Sequence, residues 1–465
     1  MKNCLFLSVL ALLAFLSGCM LGPKYRRPPV SAPPSYRASS PSATQPAVSL
    51  GAEKWSQVFQ DPVLQKLVHR ALRKNYDVRI AATRVVEAQA ELRITRASQF
   101  PSAALGLQLF SQGIPKTSKV FPAYQVNAGH LSLSAIWDLD FWGKYRSETE
   151  AARADVLGTE WGQRAVLSSV VAGVASSYFK LRALDDELQI ATRALTSRQD
   201  SLRLINVLAD HGSASQLDVS EARQLVFTAS EAIPDLQRQI EQQENLLSIL
   251  LGENPGPIPR GLPLTSQPVP LAIPAGLPSE LLDRRPEVRE AEDSLIAANA
   301  TIGVLKAALF PDISLTGTGG VESNALNRIL SGSSHAWLGS INISQPIFQA
   351  GALHTGVRLA QAQREQMVLT YQQTIQNAFR QVSDALIAYQ KYREFGEQQE
   401  KLAQAAQNSD RLSQILYSHG SASYLQVLTS QTNLLAAQLN LVEAQLNERL
   451  SFVQIYQALG GGWQR

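Results

Sequence analysis

The 465-residue chain is 45% hydrophobic and 17% charged, so it has ample material for a core but less charge than the ~25% usual in soluble proteins. With 42 basic residues against 39 acidic ones its net charge is +3, and it lacks the single-signed field that nucleic-acid binding requires. The only cysteines, Cys4 and Cys19, exclude a disulfide framework and a CxxC zinc site, and no apolar run of about 18 residues follows the N-terminus to make a transmembrane helix.

Met1-Lys2-Asn3 is a short positive start, and residues 4–16 form an apolar run too short to span a bilayer but suited to a secretory signal. The run ends in Leu16-Ser17-Gly18-Cys19, which resembles a bacterial lipobox. The resemblance implies a lipoprotein signal peptide over 1–18 and covalent lipid on Cys19, N-palmitoyl and S-diacylglycerol, with no other cofactor. Met20 stands where an inner-membrane retention signal has Asp, so the outer membrane is the expected destination, and several acyl chains anchor stably. Residues 20–50 carry seven prolines and few large apolar residues. They read as an extended tether, part of a lipid-anchored N-terminal segment over 19–60.

The rest of the chain is written twice. Residues 75–101 align with 285–311 without a gap, with 8 of 27 positions identical, and both stretches end in Phe-Pro, at Phe100-Pro101 and Phe310-Pro311. His211-Gly212-Ser213-Ala214-Ser215 recurs unchanged as His419-Gly420-Ser421-Ala422-Ser423. Two repeats are therefore expected, 61–252 and 281–465, joined by a Pro-rich connector over 253–280.

Each repeat opens with a helical stretch, 62–99 or 279–309, that ends at the Phe-Pro pair. Two short segments of period two follow. Leu105, Leu107 and Leu109 alternate with Gly106, Gln108 and Phe110. Leu131, Leu133, Ala135 and Trp137 alternate with His130, Ser132, Ser134 and Ile136. In the second repeat Ile313 and Leu315 alternate with Ser314 and Thr316, and Trp337, Ile341 and Ile343 with Leu338, Asn342 and Ser344. Segments of about ten residues with one apolar and one polar face are the signature of membrane β-barrel strands. Trp137, Phe141 and Trp142 fall at a strand end, where an aromatic belt would lie.

Long proline-free stretches rich in Ala, Gln, Leu, Arg and Glu then run from about 144 to 209 and from about 351 to 417. As helices they would each be roughly 100 Å long. Gly212 and Gly420 suit the left-handed position that closes such a helix. Ser215 with Asp218, and Ser423 with Gln426, fit the pattern that caps the next one. Shorter helices return over 216–251 and 424–459, and Pro234 should kink the first.

Four strands cannot close a membrane barrel, and an open edge in lipid leaves backbone groups unpaired. The chain must therefore oligomerise. Small polar residues on the inward face favour a homotrimer of twelve strands with a lumen over an eight-stranded dimer filled by side chains.

The lipobox with Gly22-Pro23-Lys24-Tyr25 after it, the 281–288 stretch LLDRRPEV, Ala308-Leu309-Phe310-Pro311 and the paired hairpin tips together resemble the outer-membrane efflux protein family of TolC-like ducts. The match is closer to its lipidated branch, the NodT-type factors of resistance-nodulation-division efflux systems. The resemblance implies a mostly α fold with a membrane β-barrel, trimeric and 12-stranded, continued by a periplasmic α-helical barrel. It implies a passive exit duct that takes substrates from an inner-membrane pump through a periplasmic adaptor protein. On that basis the adaptor docks on the tips, 211–215 and 419–423. The periplasmic constriction falls at Asp218 and Glu221, and at Gln426 and Thr429, where TolC itself has an aspartate pair. Alternatives are a duct for a type I secretion system and, in another class, a periplasmic coiled-coil scaffold lipoprotein. HExxH, GxSxG, GxGxxG and P-loop patterns are absent, so neither an enzyme nor a metal centre is expected.

Overall fold

The computed structural model describes residues 20–37, 49–114, 124–270, 273–323 and 334–464. Residues 1–18, expected to be a signal peptide, and Cys19 lie outside the described residues. Helix α1 (Pro62–Lys74) starts where Asp61 accepts from the Val63 and Leu64 amides, and α2 (Tyr76–Ala97) follows it. The sequence reads as one helix over 62–99, but the structure divides it at Asn75. The Asn75 side chain accepts from the Asp77 and Val78 amides at 2.8 and 3.1 Å, which caps α2.

Strands β1 (Ser102–Ile114) and β2 (Tyr124–Asp138) lead into α3 (Lys144–Asp210), a helix of 67 residues, and α4 (Gln216–Leu250) returns. After the connector the order repeats as α5 (Pro278–Arg284), α6 (Pro286–Ala307), β3 (Asp312–Ser323), β4 (His335–Ser344), α7 (Ala352–Ser418) and α8 (Tyr424–Ala458). The second repeat breaks at Arg285, because Pro286 disfavours a helical conformation for the residue before it. α7 again has 67 residues, and both return helices have 35. Gly158, Gly162 and Gly173 leave α3 continuous, and α4 runs on through Pro234. Among the described residues no helix is long and apolar enough to cross a membrane.

The chain forms two compact units, and each draws on both sequence repeats. The first takes the described residues up to Pro29 with Arg84–Thr159 and Glu290–Gln372. It holds a four-stranded antiparallel sheet in the order β1-β2-β3-β4. Trp142 closes the foot of this sheet. It stacks on Phe310 with ring centroids 4.9 Å apart, and its indole N–H donates to the Pro311 carbonyl at 2.9 Å.

The second unit takes Val30–Thr83, Glu160–Arg289 and Gln373–Arg465. Its aromatic core surrounds Phe59, whose ring lies edge-on to Phe179, Phe452 and Tyr456 at 5.7–6.4 Å. Here the break residues act at matching places. Asn75 donates to the carbonyl of Leu250, the last residue of α4, at 2.9 Å. Arg285, its repeat equivalent, donates to the carbonyl of Ala458, the last residue of α8, at 3.5 Å. Each break thus satisfies an orphan carbonyl at a helix end.

The connector is held to this unit by Asp61, which is fully buried. Its carboxylate accepts from Tyr178 Oη at 3.0 Å, Gln267 Nε2 at 2.7 Å and the Leu262 amide at 3.0 Å, besides the cap of α1. Arg260 reinforces the seam through Asp185 and Glu244. Burial pushes the Asp61 carboxyl upward, but the hydrogen bonds from Gln267, Val63, Tyr178 and Leu262 outweigh it and hold the group below its usual range.

Asp61→Ala is expected to lose about 2–4 kcal/mol, because it removes a cap and strands several buried donors. Thermal melting in detergent and proteolysis within 253–270 measure the loss. The depressed carboxyl stabilises fully above the ordinary carboxylate pKa of about 4 and fades as pH falls through the folded value. The gap in melting temperature between wild type and Asp61→Asn should therefore close below about pH 4.

Candidate functional site

The sheet is two-faced in all four strands at once. Residues directly opposite in an antiparallel ladder share a face. The register pairs Leu105 with Leu133, Leu107 with Leu131, Trp137 with Leu315, Ile313 with Ile343 and Leu315 with Ile341. On the other face Gly106 meets Ser132, Gln108 meets His130, Ser134 meets Thr318, Ser314 meets Asn342 and Thr316 meets Ser340. On the edge strands the apolar face is open among the described residues, with Leu107 64%, Ile341 69% and Trp337 87% exposed. Phe110, Ile136 and Leu338 interrupt the polar face. Trp137 lies on the apolar face and donates to the Gln99 carbonyl at 3.1 Å. Trp142 stands at the foot of the sheet, stacked on Phe310 and hydrogen-bonded to the Pro311 carbonyl.

The two hairpin tips have nearly the same backbone. Gly212 and Gly420 sit at φ +75° and +71°, where a Cβ is disfavoured. The Gly212 amide donates to the Ala209 carbonyl and the Ser213 amide to the Leu208 carbonyl; Gly420 and Ser421 do the same with Tyr417 and Leu416. These are the paired bonds of a Schellman closure. Each tip histidine then takes a carbonyl one turn back. His211 Nδ1 lies 2.7 Å from the Val207 oxygen and His419 Nδ1 2.8 Å from that of Ile415. A carbonyl only accepts, so both imidazoles carry the proton on Nδ1.

The return helices begin differently. Ser215 and Asp218 form the full capping box. The Asp218 amide donates to Ser215 Oγ at 3.1 Å, and Asp218 Oδ2 accepts from the Ser215 amide and hydroxyl, both at 2.8 Å. The expected cap at Ser423 and Gln426 does not form. Ser423 makes no side-chain cap bond, and Gln426 is exposed. A neutral amide gains little from the helix N-terminus that attracts the Asp218 carboxylate.

Below the tips the hairpins meet in a buried cluster of Ile205, Val219, Ala222, Tyr424, Val427 and Leu428, with Ala209, Ala214 and Tyr417 against it. The rings of Tyr417 and Tyr424 lie 5.4 Å apart. At the matching positions the first repeat has Ala209 and Gln216, so the tyrosines are a second-repeat feature that repeat matching passes over. Burial first, then the charges of Tyr417, Asp218 and Glu221, push the Tyr424 hydroxyl up to about 12. Of the residues assigned to the constriction, Asp218 is therefore tied into a cap, Glu221 is half-buried on the same helix, and Gln426 and Thr429 are exposed. Thr429 Oγ1 donates to the Leu425 carbonyl at 2.8 Å. A polar seam lies deeper in the hairpins. Ser413 Oγ and Ser430 Oγ are 2.5 Å apart, and Gln431 Nε2 donates to Ser201 Oγ at 3.2 Å.

The profile of the outer membrane efflux protein family matches the chain twice, over 67–253 and 277–461. The chain belongs to that family. It is 34% identical over 468 residues to the cation efflux system protein CusC of Escherichia coli O6:H1, covering all of both chains. It is 37% identical over 473 residues to the probable efflux pump outer membrane protein TtgC of Pseudomonas putida, covering 99% of this chain and 96% of that one. The open-state crystal structure of the Neisseria gonorrhoeae MtrE outer membrane channel superposes with a TM-score of 0.89 at 28% identity, covering 96% and 99%. As a family member the chain is an outer-membrane efflux channel, mostly α, whose strands serve a membrane β-barrel and whose long helices extend into the periplasm.

The two caps predict unequal sensitivity. Ser215→Ala should cost about 1 kcal/mol locally and speed amide exchange at the start of α4 roughly five-fold, whereas Ser423→Ala should leave α8 within about two-fold of wild type. Site-resolved hydrogen exchange reads both.

Proposed function

We propose that three copies close one twelve-stranded barrel, with β4 of each copy pairing with β1 of the next, and that the assembly is the passive exit duct of a tripartite efflux system. The observation that carries this reading is the common register. It gathers apolar side chains on one face and hydroxyls and amides on the other across both repeats, while β1 and β4 remain at the edges of the sheet. A coiled-coil scaffold has no use for such a sheet. Eight strands would fill with side chains, whereas twelve leave room for water against the polar face.

The tips 211–215 and 419–423 are the docking points for a periplasmic adaptor. Both end in tight left-handed turns with exposed His, Gly and Ser and a half-buried Ala, which lets another helical hairpin approach the backbone closely. The adaptor links the duct to an inner-membrane pump, and the pump selects what is exported. Asp218 and Glu221 supply negative charge on the first return helix just past the tip, and Gln426 and Thr429 leave the second return helix uncharged at the matching positions. Cys19 carries the lipid that anchors the mature chain to the outer membrane.

Gly420→Pro, or Trp in place of Ala422, is expected to abolish drug or metal export in a strain that depends on this duct, while heat-modifiable trimer persists in detergent. Full export by either variant would remove the tips from the docking role. Leu107→Arg, on the apolar face, should block assembly, since a midplane cation facing lipid costs about 2–4 kcal/mol in each copy. Ser132→Arg, on the polar face, should assemble and alter single-channel conductance. Labelled palmitate should enter the wild type and not Cys19→Ser.

A further inference from the structure

The residues after Cys19 do not hang free of the first unit. Met20 lies against Gly143 at the foot of β2, where a Cβ on Gly143 would come within 3.0 Å of the Met20 side chain. Gly22 crosses α6 so closely that its Cβ position is 3.1 Å from Gly303 Cα, and a Cβ on Gly303 would meet Gly22 Cα at 3.1 Å and Ser147 Oγ at 2.7 Å. Asn299 Nδ2 donates to the Pro23 carbonyl at 2.7 Å. Tyr25 Oη donates to Glu292 Oε1 at 3.2 Å, and Arg27 pairs with Glu292 Oε2 at 2.6 Å. With the segment in place the Glu292 side chain is only 8% exposed, so the cation and the hydroxyl meet a carboxylate withdrawn from water. Two glycines at one crossing, a buried acid and its partners form a built seat for eight residues of chain.

Taking the lipid on Cys19 as given, we infer that Met20–Arg27 is a latch that fastens the lipid-bearing end of the mature chain to the foot of the sheet. The anchor is thereby held beside the barrel wall instead of at the end of a loose proline-rich linker. Without the latch the anchor sits on a free chain of only about 16 residues, as far as Tyr36, which is buried against Phe379, and still explores roughly 20 Å. With it, the sheet is presented to the bilayer at one fixed place, which favours insertion of the strands before their apolar face finds another partner.

The test uses full-length protein in isolated outer-membrane fragments, whose periplasmic face is open to added protease. Two variants undo the latch from opposite sides: Arg27→Ala removes its cation, and Gly303→Ala fills the crossing with a residue that suits α6 better than glycine does. Trypsin can cut the latch only after Lys24 and Arg26, and mass spectrometry follows release of the N-terminal peptide. Wild type should resist cleavage, with release at least ten-fold faster in both variants. Pulse-chase conversion to heat-modifiable trimer should slow at least five-fold in both. Wild-type cleavage as fast as the variants would show that the segment is not seated. Faster cleavage with an unchanged rate of trimer formation would overturn the role in insertion. Each protein is also made as Cys19→Ser. Protection that survives there belongs to the latch, and protection lost there belongs to the lipid and overturns the latch. Failure of the wild type to incorporate labelled palmitate would sink the anchor reading alone and leave the cleavage result standing.

Discussion

Unpaired backbone at the two edges of one sheet constrains this chain more than any other feature. Strands β1 and β4 each have a neighbour on one side only, and the face they share bears bare leucine, isoleucine and tryptophan. In water such a sheet would aggregate, and in lipid its edge amides and carbonyls would each cost several kcal/mol. Both problems vanish when the edges meet those of sister copies around a hydrated bore. The polar face, dominated by Ser, Thr, Gln and Asn and interrupted by Phe110, Ile136 and Leu338, suits a surface wetted by passing solutes.

Duplication supplies the helices in matching pairs, and the two repeats have diverged where they must fit each other. The helix breaks at Asn75 and Arg285 satisfy the final carbonyls of α4 and α8, one with a short amide and the other with a long guanidinium. Near the tips the second repeat contributes Tyr417 and Tyr424 where the first has Ala209 and Gln216, so large side chains of one hairpin fill space left by small ones of the other. A strictly symmetric pair of hairpins would collide or leave a void there.

Much of this architecture is legible in the sequence because it rests on periodicity and on punctuation. Alternation at Leu105–Phe110 and His130–Asp138 gave the faces of the sheet, and His211–Ser215 with its copy at 419–423 marked both turns within a residue. What the sequence concealed depends on partners far along the chain. The break at Asn75 follows from a cap and from a bond to Leu250, 175 residues later, and nothing in the local pattern of 62–99 displays it. Asp61 reads as an ordinary cap before Pro62, yet it is also the post to which the connector is tied. The Pro-rich start of the mature chain reads as a tether, and only the crossing of Gly22 over Gly303 reveals a seat for it. The pattern Ser-x-x-Gln at 423–426 misled, because a motif match carries no information about the charge that makes a cap worthwhile.

The central claim is that one chain is an incomplete wall. Imaging of the purified full-length protein in lipid nanodiscs by electron cryomicroscopy tests it most directly. The account requires three chains around a continuous hollow cylinder, with β4 of one copy hydrogen-bonded to β1 of the next and Leu107, Ile341 and Trp337 facing lipid. Particles holding a single chain, or a closed sheet with those side chains turned inward, would contradict it.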